Sequence, residues 1–301
     1  MTDEIPRGLP APPALGAVAL PPGTYEGQVV LVTGGGTGLG KAIATEFARL
    51  GADLVIASRR AEQLKAAREE LAAVPGAGRV TAAVCDIRDP ERVADVFDAA
   101  QAAFGLPDVL VNNAAANFPS PAEDLSPRAW RAVVDITLTG TWFMTREFGR
   151  RHLAAGTPGS IVNIGASYAW TGGPGFAHSA AAKAGVKNLV ETLAVEWGPY
   201  GIQINGLVPG LFPHADMSED IRGGLERAAP GTKDARQPAL RVGAPRELGW
   251  AATFLASPYA RFVTGHTLVV DGANWQRRSV VNPEVVPVRT QLGRGPFTAS
   301  S

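Results

Sequence analysis

Val29-Val30-Leu31-Val32-Thr33-Gly34-Gly35-Gly36-Thr37-Gly38-Leu39-Gly40-Lys41 decides the fold of this chain. An apolar, β-branched run passes directly into glycines and then into the helical pattern opened by Lys41-Ala42-Ile43. Glycines let a strand turn tightly into a helix and let backbone N–H groups approach a pyrophosphate, which the positive end of the helix dipole also favours. A strand before the cluster and a helix after it make this a dinucleotide-binding turn rather than an isolated loop. Gly34, Thr37, Gly38 and Leu39 are the expected contacts.

Outward from that turn, apolar runs recur at Val29–Thr33, Leu54–Ser58, Val80–Val84, Val109–Asn112, Ser160–Ile164, Gln203–Val208 and Thr267–Val270. Between them, Lys41–Leu50, Arg60–Ala73, Pro90–Phe104, Pro127–Leu153, Ser179–Trp197 and Pro245–Ala256 carry helical spacing. Runs apolar on both faces that alternate with helices predict an α/β fold. The expected form is a single doubly wound Rossmann-type domain, with a seven-stranded parallel sheet and helices on both faces. Residues 27–275 should form that domain, behind a Pro-rich extended arm at 1–26. The Gly-, Pro- and Arg-rich stretch at about 211–241 follows a strand's carboxyl end, where such sheets bind ligands, and is expected to be a lid. The tail, 276–301, is expected to wrap over a neighbouring subunit or to fray.

The chain has 301 residues, 46% of them hydrophobic, and a formal net charge of zero, so it carries no electrostatic footprint for nucleic acid. The lone Cys85 cannot form an internal disulfide, and no metal cluster is expected around it. No apolar run reaches the roughly 18 residues of a membrane span. Asp3 and Glu4 beside a single Arg7 match neither a secretory signal nor a transit peptide, and the last residues are not a peroxisomal address. The cytoplasm is the expected compartment.

At the end of the second strand, where NAD-selective folds place an acidic residue for the ribose hydroxyls, this chain has Ser58-Arg59-Arg60. Two cations at a helix start are unfavourable unless an anion lies nearby. A 2′-phosphate is such an anion, which predicts NADP(H), contacted by Ser58, Arg59 and Arg60.

The glycine spacing, Thr-Gly-x-x-x-Gly-x-Gly, resembles that of the short-chain dehydrogenase/reductase family. Cys85-Asp86-Ile87, Asn112-Asn113-Ala114-Ala115, Asn205 to Gly210, and Thr264 to Gly272 follow in the same order, so the resemblance covers about residues 28–272. It implies that Asp86 and Ile87 border adenine, that Asn113 with Ala114 backs the cofactor, and that Pro209 and Gly210 flank the nicotinamide.

That family pairs a catalytic Tyr with a Lys one helical turn later. Here Lys183 is kept and Ser179 holds the Tyr position, while Ala166 and Thr137 replace the usual Ser and Asn. A Ser hydroxyl is too weak an acid to stand in for Tyr as proton donor to a carbonyl. Leu20 to Gly27, Ile56 to Arg59, Asn112 to Phe118, and Ser179 to Val186 are similar to the mitochondrial-type 2,4-dienoyl-CoA reductases, which also carry Ser there. Those enzymes use NADPH to reduce a conjugated dienoyl thioester to a trans-3-enoyl-CoA. The resemblance implies catalytic roles for Tyr168, Asn117, Ser179 and Lys183, substrate contacts from Asn117, Phe118 and Tyr168, an acyl-CoA partner, and a homotetramer built through Pro127–Leu153 and Ser179–Trp197. Arg222, Arg227, Lys233 and Arg236 are candidates for CoA phosphates by position. His178 neighbours Ser179 without sharing the face of Lys183, and is expected at a helix cap or the surface. Two other readings stand beside this one: a carbonyl reductase or alcohol dehydrogenase of the same family, and a catalytically weak NADP(H)-binding regulatory protein.

Overall fold

A computed structural model describes residues 8–215, 217, 237–276 and 286–295. Seven strands form one parallel sheet in the order β3-β2-β1-β4-β5-β6-β7. They are β1 (Val29–Thr33), β2 (Asp53–Ser58), β3 (Val80–Val84), β4 (Val109–Asn112), β5 (Gly159–Ile164), β6 (Ile202–Pro209) and β7 (Thr267–Val270). The order reverses between β1 and β4, so the loops leaving their carboxyl ends diverge and open a crevice.

Strand periodicity divides the core. Val30, Val32, Leu54 and Ile56 face one layer, which holds α1 (Gly38–Arg49), α2 (Ala61–Ala72) and α8 (Pro245–Ala256). Val29, Leu31, Val55 and Ala57 face the other, made from α3 (Pro90–Ala103), α5 (Thr141–Ala155) and α7 (Ala177–Trp197). Each fully buried Val, Leu or Ile contributes about 1.5–3 kcal/mol, so both faces of every inner strand are committed to packing. Helix starts follow local chemistry. The Asp89 carboxylate accepts from the N–H groups of Glu91 and Arg92 at 2.9 and 3.3 Å, with Pro90 opening α3.

The helix expected over Pro127–Leu153 departs from the sequence reading. It divides into α4 (Pro127–Val134), a π turn at Asp135–Gly140, and α5. Thr137, wholly buried in that turn, accepts the Ala116 N–H at 3.3 Å and bonds the Ala116 carbonyl at 3.4 Å. A wide turn at this point carries the Thr137 hydroxyl onto the loop after β4, and π turns of this kind cluster at functional sites.

The described part of the arm lies along α8. Leu9 N–H donates to the Ala239 carbonyl at 2.9 Å, and Arg241, Arg246 and Trp250 donate to the carbonyls of Pro10, Pro13 and Ala17. Most of the stretch expected as a lid, including Arg222, Arg227, Lys233 and Arg236, lies outside the described residues. Among the described residues no helix is long and apolar enough to cross a membrane, and no cluster of metal-ligating side chains occurs. Cys85 is buried, and that burial pushes its thiol up to about 11.

Candidate active site

The β1–α1 turn opens on a cavity of about 340 Å³ at the carboxyl edge of the sheet. Gly34, Thr37, Gly38, Leu39, Ser58, Arg59, Arg60, Asp86, Ile87, Asn113 and Ala114 all line it. Asn113 ties the turn to the crevice: its side-chain amide donates to the Thr33 carbonyl at 3.0 Å, and its own N–H donates to Thr33 Oγ1 at 3.0 Å. Asp86 is held below the usual carboxylate range, first by its hydrogen bonds from Arg88 and further by the charge of Arg59. Among the described residues neither Arg59 nor Arg60 has a hydrogen-bonded carboxylate, so this rim offers two guanidinium groups to an anion.

Glycine is required at two points of the turn. Gly34 has φ +65°, and a Cβ on Gly40 would stand 2.3 Å from the Gly34 carbonyl oxygen and 2.4 Å from Asn113 Nδ2. A cradle this tight suits a backbone that must lie against a pyrophosphate. Helix propensity favours Ala over Gly by about 0.8–1.0 kcal/mol, yet overlap with backbone decides the sign at Gly40. Gly40→Ala should therefore abolish dinucleotide binding in a fluorescence titration. Unaltered affinity would show that the turn does not hold the cofactor.

His214, Ile136 and Ala115 also line the cavity, and sequence reasoning did not single them out. The His214 ring stands 3.0 Å from where a Cβ on Gly38 would be. The available signal was its position a few residues past the carboxyl end of β6. Pro209, Gly210 and Lys183 do not line this cavity. Gly210 packs instead against Asp271, whose Cβ is 2.5 Å from a Cβ built on the glycine.

Beyond the cavity, β4 and β5 are adjacent and parallel, which sets their exit loops side by side. The Asn112 side chain donates to Thr145 Oγ1 at 3.0 Å and to Asn163 Oδ1 at 2.9 Å, locking the two strand ends together. From the β4 loop comes Asn117, and from α6 (Tyr168–Thr171), just after β5, comes Tyr168. Asn117 Nδ2 donates to the Tyr168 hydroxyl at 3.3 Å, and that hydroxyl lies 2.9 Å from Ser179 Oγ on α7. Lys183, one turn after Ser179, is buried and donates through Nζ to the Ile164 carbonyl.

Burial sets the electrostatics here. It raises the Tyr168 phenol above its ordinary value, opposed only by the hydrogen bond with Ser179, so the phenol keeps its proton at neutral pH. Burial alone pulls Lys183 down to about 8. Asn117 Oδ1 is buried with no partner among the described residues. An orphaned buried acceptor beside two linked hydroxyls suits a polar ligand.

His178 corrects the expectation of a surface position. It is completely buried, its Nδ1 accepts the Ser179 N–H at 2.9 Å, and its ring meets Phe118 edge-on at 4.5 Å. Phe118 thus packs on the helix that carries Ser179. Burial also lowers the His178 pKa, keeping the imidazole neutral.

A doubly wound parallel sheet, a glycine turn at its crevice and a buried Lys–Ser face beside that crevice define a nicotinamide-dependent oxidoreductase of Rossmann type. A family model described as enoyl-(acyl carrier protein) reductase matches residues 34–273. The chain belongs to the short-chain dehydrogenase/reductase family. It is 39% identical over 251 residues to a probable 2,4-dienoyl-CoA reductase of Bacillus subtilis named as producing (2E)-enoyl-CoA, covering 83% of this chain and 97% of the relative. It is 40% identical to a probable Caenorhabditis elegans 2,4-dienoyl-CoA reductase named as producing (3E)-enoyl-CoA, covering 83% of this chain and 81% of that one. A crystal structure of a short-chain dehydrogenase from Bacillus anthracis superposes with a TM-score of 0.75 at 38% identity, covering 82% of this chain and 96% of that one.

Proposed function

We propose that this chain is an NADPH-dependent 2,4-dienoyl-CoA reductase that forms a trans-3-enoyl-CoA in the β-oxidation of unsaturated fatty acids. The observation that carries the reading is the Tyr168 hydroxyl, held between the Asn117 amide and Ser179 Oγ where the usual catalytic Tyr is absent. When bound, the nicotinamide supplies a hydride to the δ-carbon of the conjugated thioester.

Electron density then moves along the diene to the thioester oxygen, and the protein must stabilise an oxyanion. The Tyr168 oxygen accepts from Asn117 and, with Ser179 as donor, from Ser179, which leaves its own O–H free to point at the thioester oxygen. Asn117 retains a second N–H for the same oxygen. Two such donors preorganised in a dry site are each worth about 2.7–4 kcal/mol in the best cases. With the cofactor bound, Lys183 would hold its nicotinamide ribose and would supply a positive charge to the developing anion. The α-carbon takes its proton from Tyr168 or from a water molecule, which leaves the double bond between the β- and γ-carbons.

The alternative of carbonyl reduction by Tyr168 meets an obstacle in the same geometry. The position one turn before Lys183, which carbonyl reductases of the family fill with Tyr, holds Ser179, and no cation acts on the Tyr168 phenol to lower its pKa. A cytoplasmic homotetramer joined through α4, α5 and α7 completes the proposal.

The deciding experiment incubates the protein with NADPH and a short 2,4-dienoyl-CoA, following cofactor absorbance and double-bond position. A 2-enoyl product would retain the enzyme class but reject α-protonation. No turnover by folded, NADPH-binding protein would reject the reading. For cofactor choice, Arg59→Asp should weaken NADPH by about 10–100-fold, the loss of one charged hydrogen bond of roughly 1.5–3 kcal/mol, with a smaller effect on NADH. Equal weakening of both would mean that Arg59 does not read the 2′-phosphate.

A further inference from the structure

Residues 286–295 lie past the stretch matched by the family, yet they come back onto this chain at the substrate end of the site. Here Val288–Gln291 form a short helix, α9. Arg289 Nη1 stands 2.6 Å from Asp124 Oδ1 and 3.2 Å from Glu123 Oε1, and Arg294 Nη1 is 4.0 Å from Asp124 Oδ2. On the apolar side, Val288 Cγ1 and Leu292 Cδ1 lie 3.5 and 4.0 Å from the point where a Cβ on Gly175 would stand.

Those two attachments fall on different loops. Asp124 and Glu123 end the loop after β4 that carries Asn117. Gly175 belongs to the turn between α6 and α7 that packs on Tyr168: a Cβ on Gly173 would be 3.0 Å from Tyr168 Cβ, and the Phe176 ring lies parallel to that of Tyr168 with centroids 6.2 Å apart. One backbone hydrogen bond, Ser120 N–H to the Gly175 carbonyl at 2.8 Å, already joins the loops. The segment lies across that joint and grips both sides.

We propose that residues 286–295 brace the two oxyanion donors, with Arg289 as a positioning residue that acts through Asp124 and Glu123. The brace rests on the function proposed above. Both donors sit on loops, where supporting contacts set precision, and an error of about 1 Å in such a site costs up to about 10²-fold in rate. The segment adds nothing to the cofactor cavity, so it acts on turnover and not on NADPH affinity.

The test uses the full chain as wild type, Arg289→Glu, Arg289→Lys and the charge swap Asp124→Arg with Arg289→Glu. Arg289→Glu should lower kcat on the dienoyl thioester by about 10-fold or more, with unchanged NADPH affinity, and should speed amide exchange in peptides covering 117–125 and 172–177. Lys at position 289 should restore most of the rate, and the charge swap should restore part of it. Faster exchange with unchanged kcat, or lost kcat with unchanged exchange, overturns the brace. A wild type that does not reduce the thioester overturns the function and the brace together. An active wild type beside an equally active Arg289→Glu overturns the brace alone.

Discussion

Tyr168→Phe should lower kcat on a 2,4-dienoyl thioester by about 10²–10³-fold, the usual cost of removing one preorganised oxyanion donor. The phenol contributes its single proton, and Phe keeps the ring that stacks near Phe176 while deleting only the oxygen. NADPH affinity should be unchanged, because the phenol bonds Asn117 and Ser179 and its proposed ligand is the thioester oxygen. Asn117→Ala should cost a similar factor, since its amide donates to that phenol and offers its second N–H to the same oxygen. The two losses should combine to less than their product, because groups sharing one oxyanion act as a unit. Single-turnover kinetics on both variants and their combination reads this directly. If Tyr168→Phe and Asn117→Ala each keep near-wild-type rates, the thioester oxygen binds elsewhere.

Lys183→Met should separate stability from activity. Burial lowers Lys183 from 10.5 to about 8, so the folded protein binds its proton more weakly than the unfolded chain does. The penalty for burying the charge is therefore complete below about pH 8, shrinks as pH rises, and vanishes above 10.5. A shift of this size corresponds to a penalty on the order of 3 kcal/mol. Losing the charged hydrogen bond to the Ile164 carbonyl returns about 1.5–3 kcal/mol of that gain. At pH 7 the Met variant should thus melt at or slightly above wild type, and wild type should gain on it as pH rises from about 8 toward 10.5. Its turnover should nonetheless fall by about 10²-fold or more, because the charge proposed to act on the bound cofactor and the developing anion is gone. In wild type, NADPH affinity should weaken as pH rises through about 8. A melting difference that does not depend on pH would mean that Lys183 is not held charged against burial.

Ser179 and Lys183 were legible as one helical face because a turn of helix is a local period, and both are buried on α7. The burial of His178 was missed for a related reason. Position on a helix says which way a side chain leaves the axis, whereas burial depends on what packs there, and Phe118 arrives from a loop sixty residues earlier. The π turn at Asp135–Gly140 was invisible because the contact it makes, between Thr137 and the Ala116 backbone, joins two elements.

By itself the sequence determined the seven strands of a parallel sheet, the glycine turn after the first of them, the cationic Ser58-Arg59-Arg60 rim and the substitution of Ser179 for Tyr. Each is written in residues close together in the chain, as period, turn chemistry or charge. Tertiary structure alone decided that Asn117 and Tyr168, 51 residues apart, share a hydrogen bond, and that Arg289 reaches Asp124 from 165 residues away. The first meeting follows from β4 and β5 being neighbours whose loops leave at the same edge. The second depends on ion pairs and two apolar contacts between segments far apart in the chain, and no periodicity encodes such an encounter.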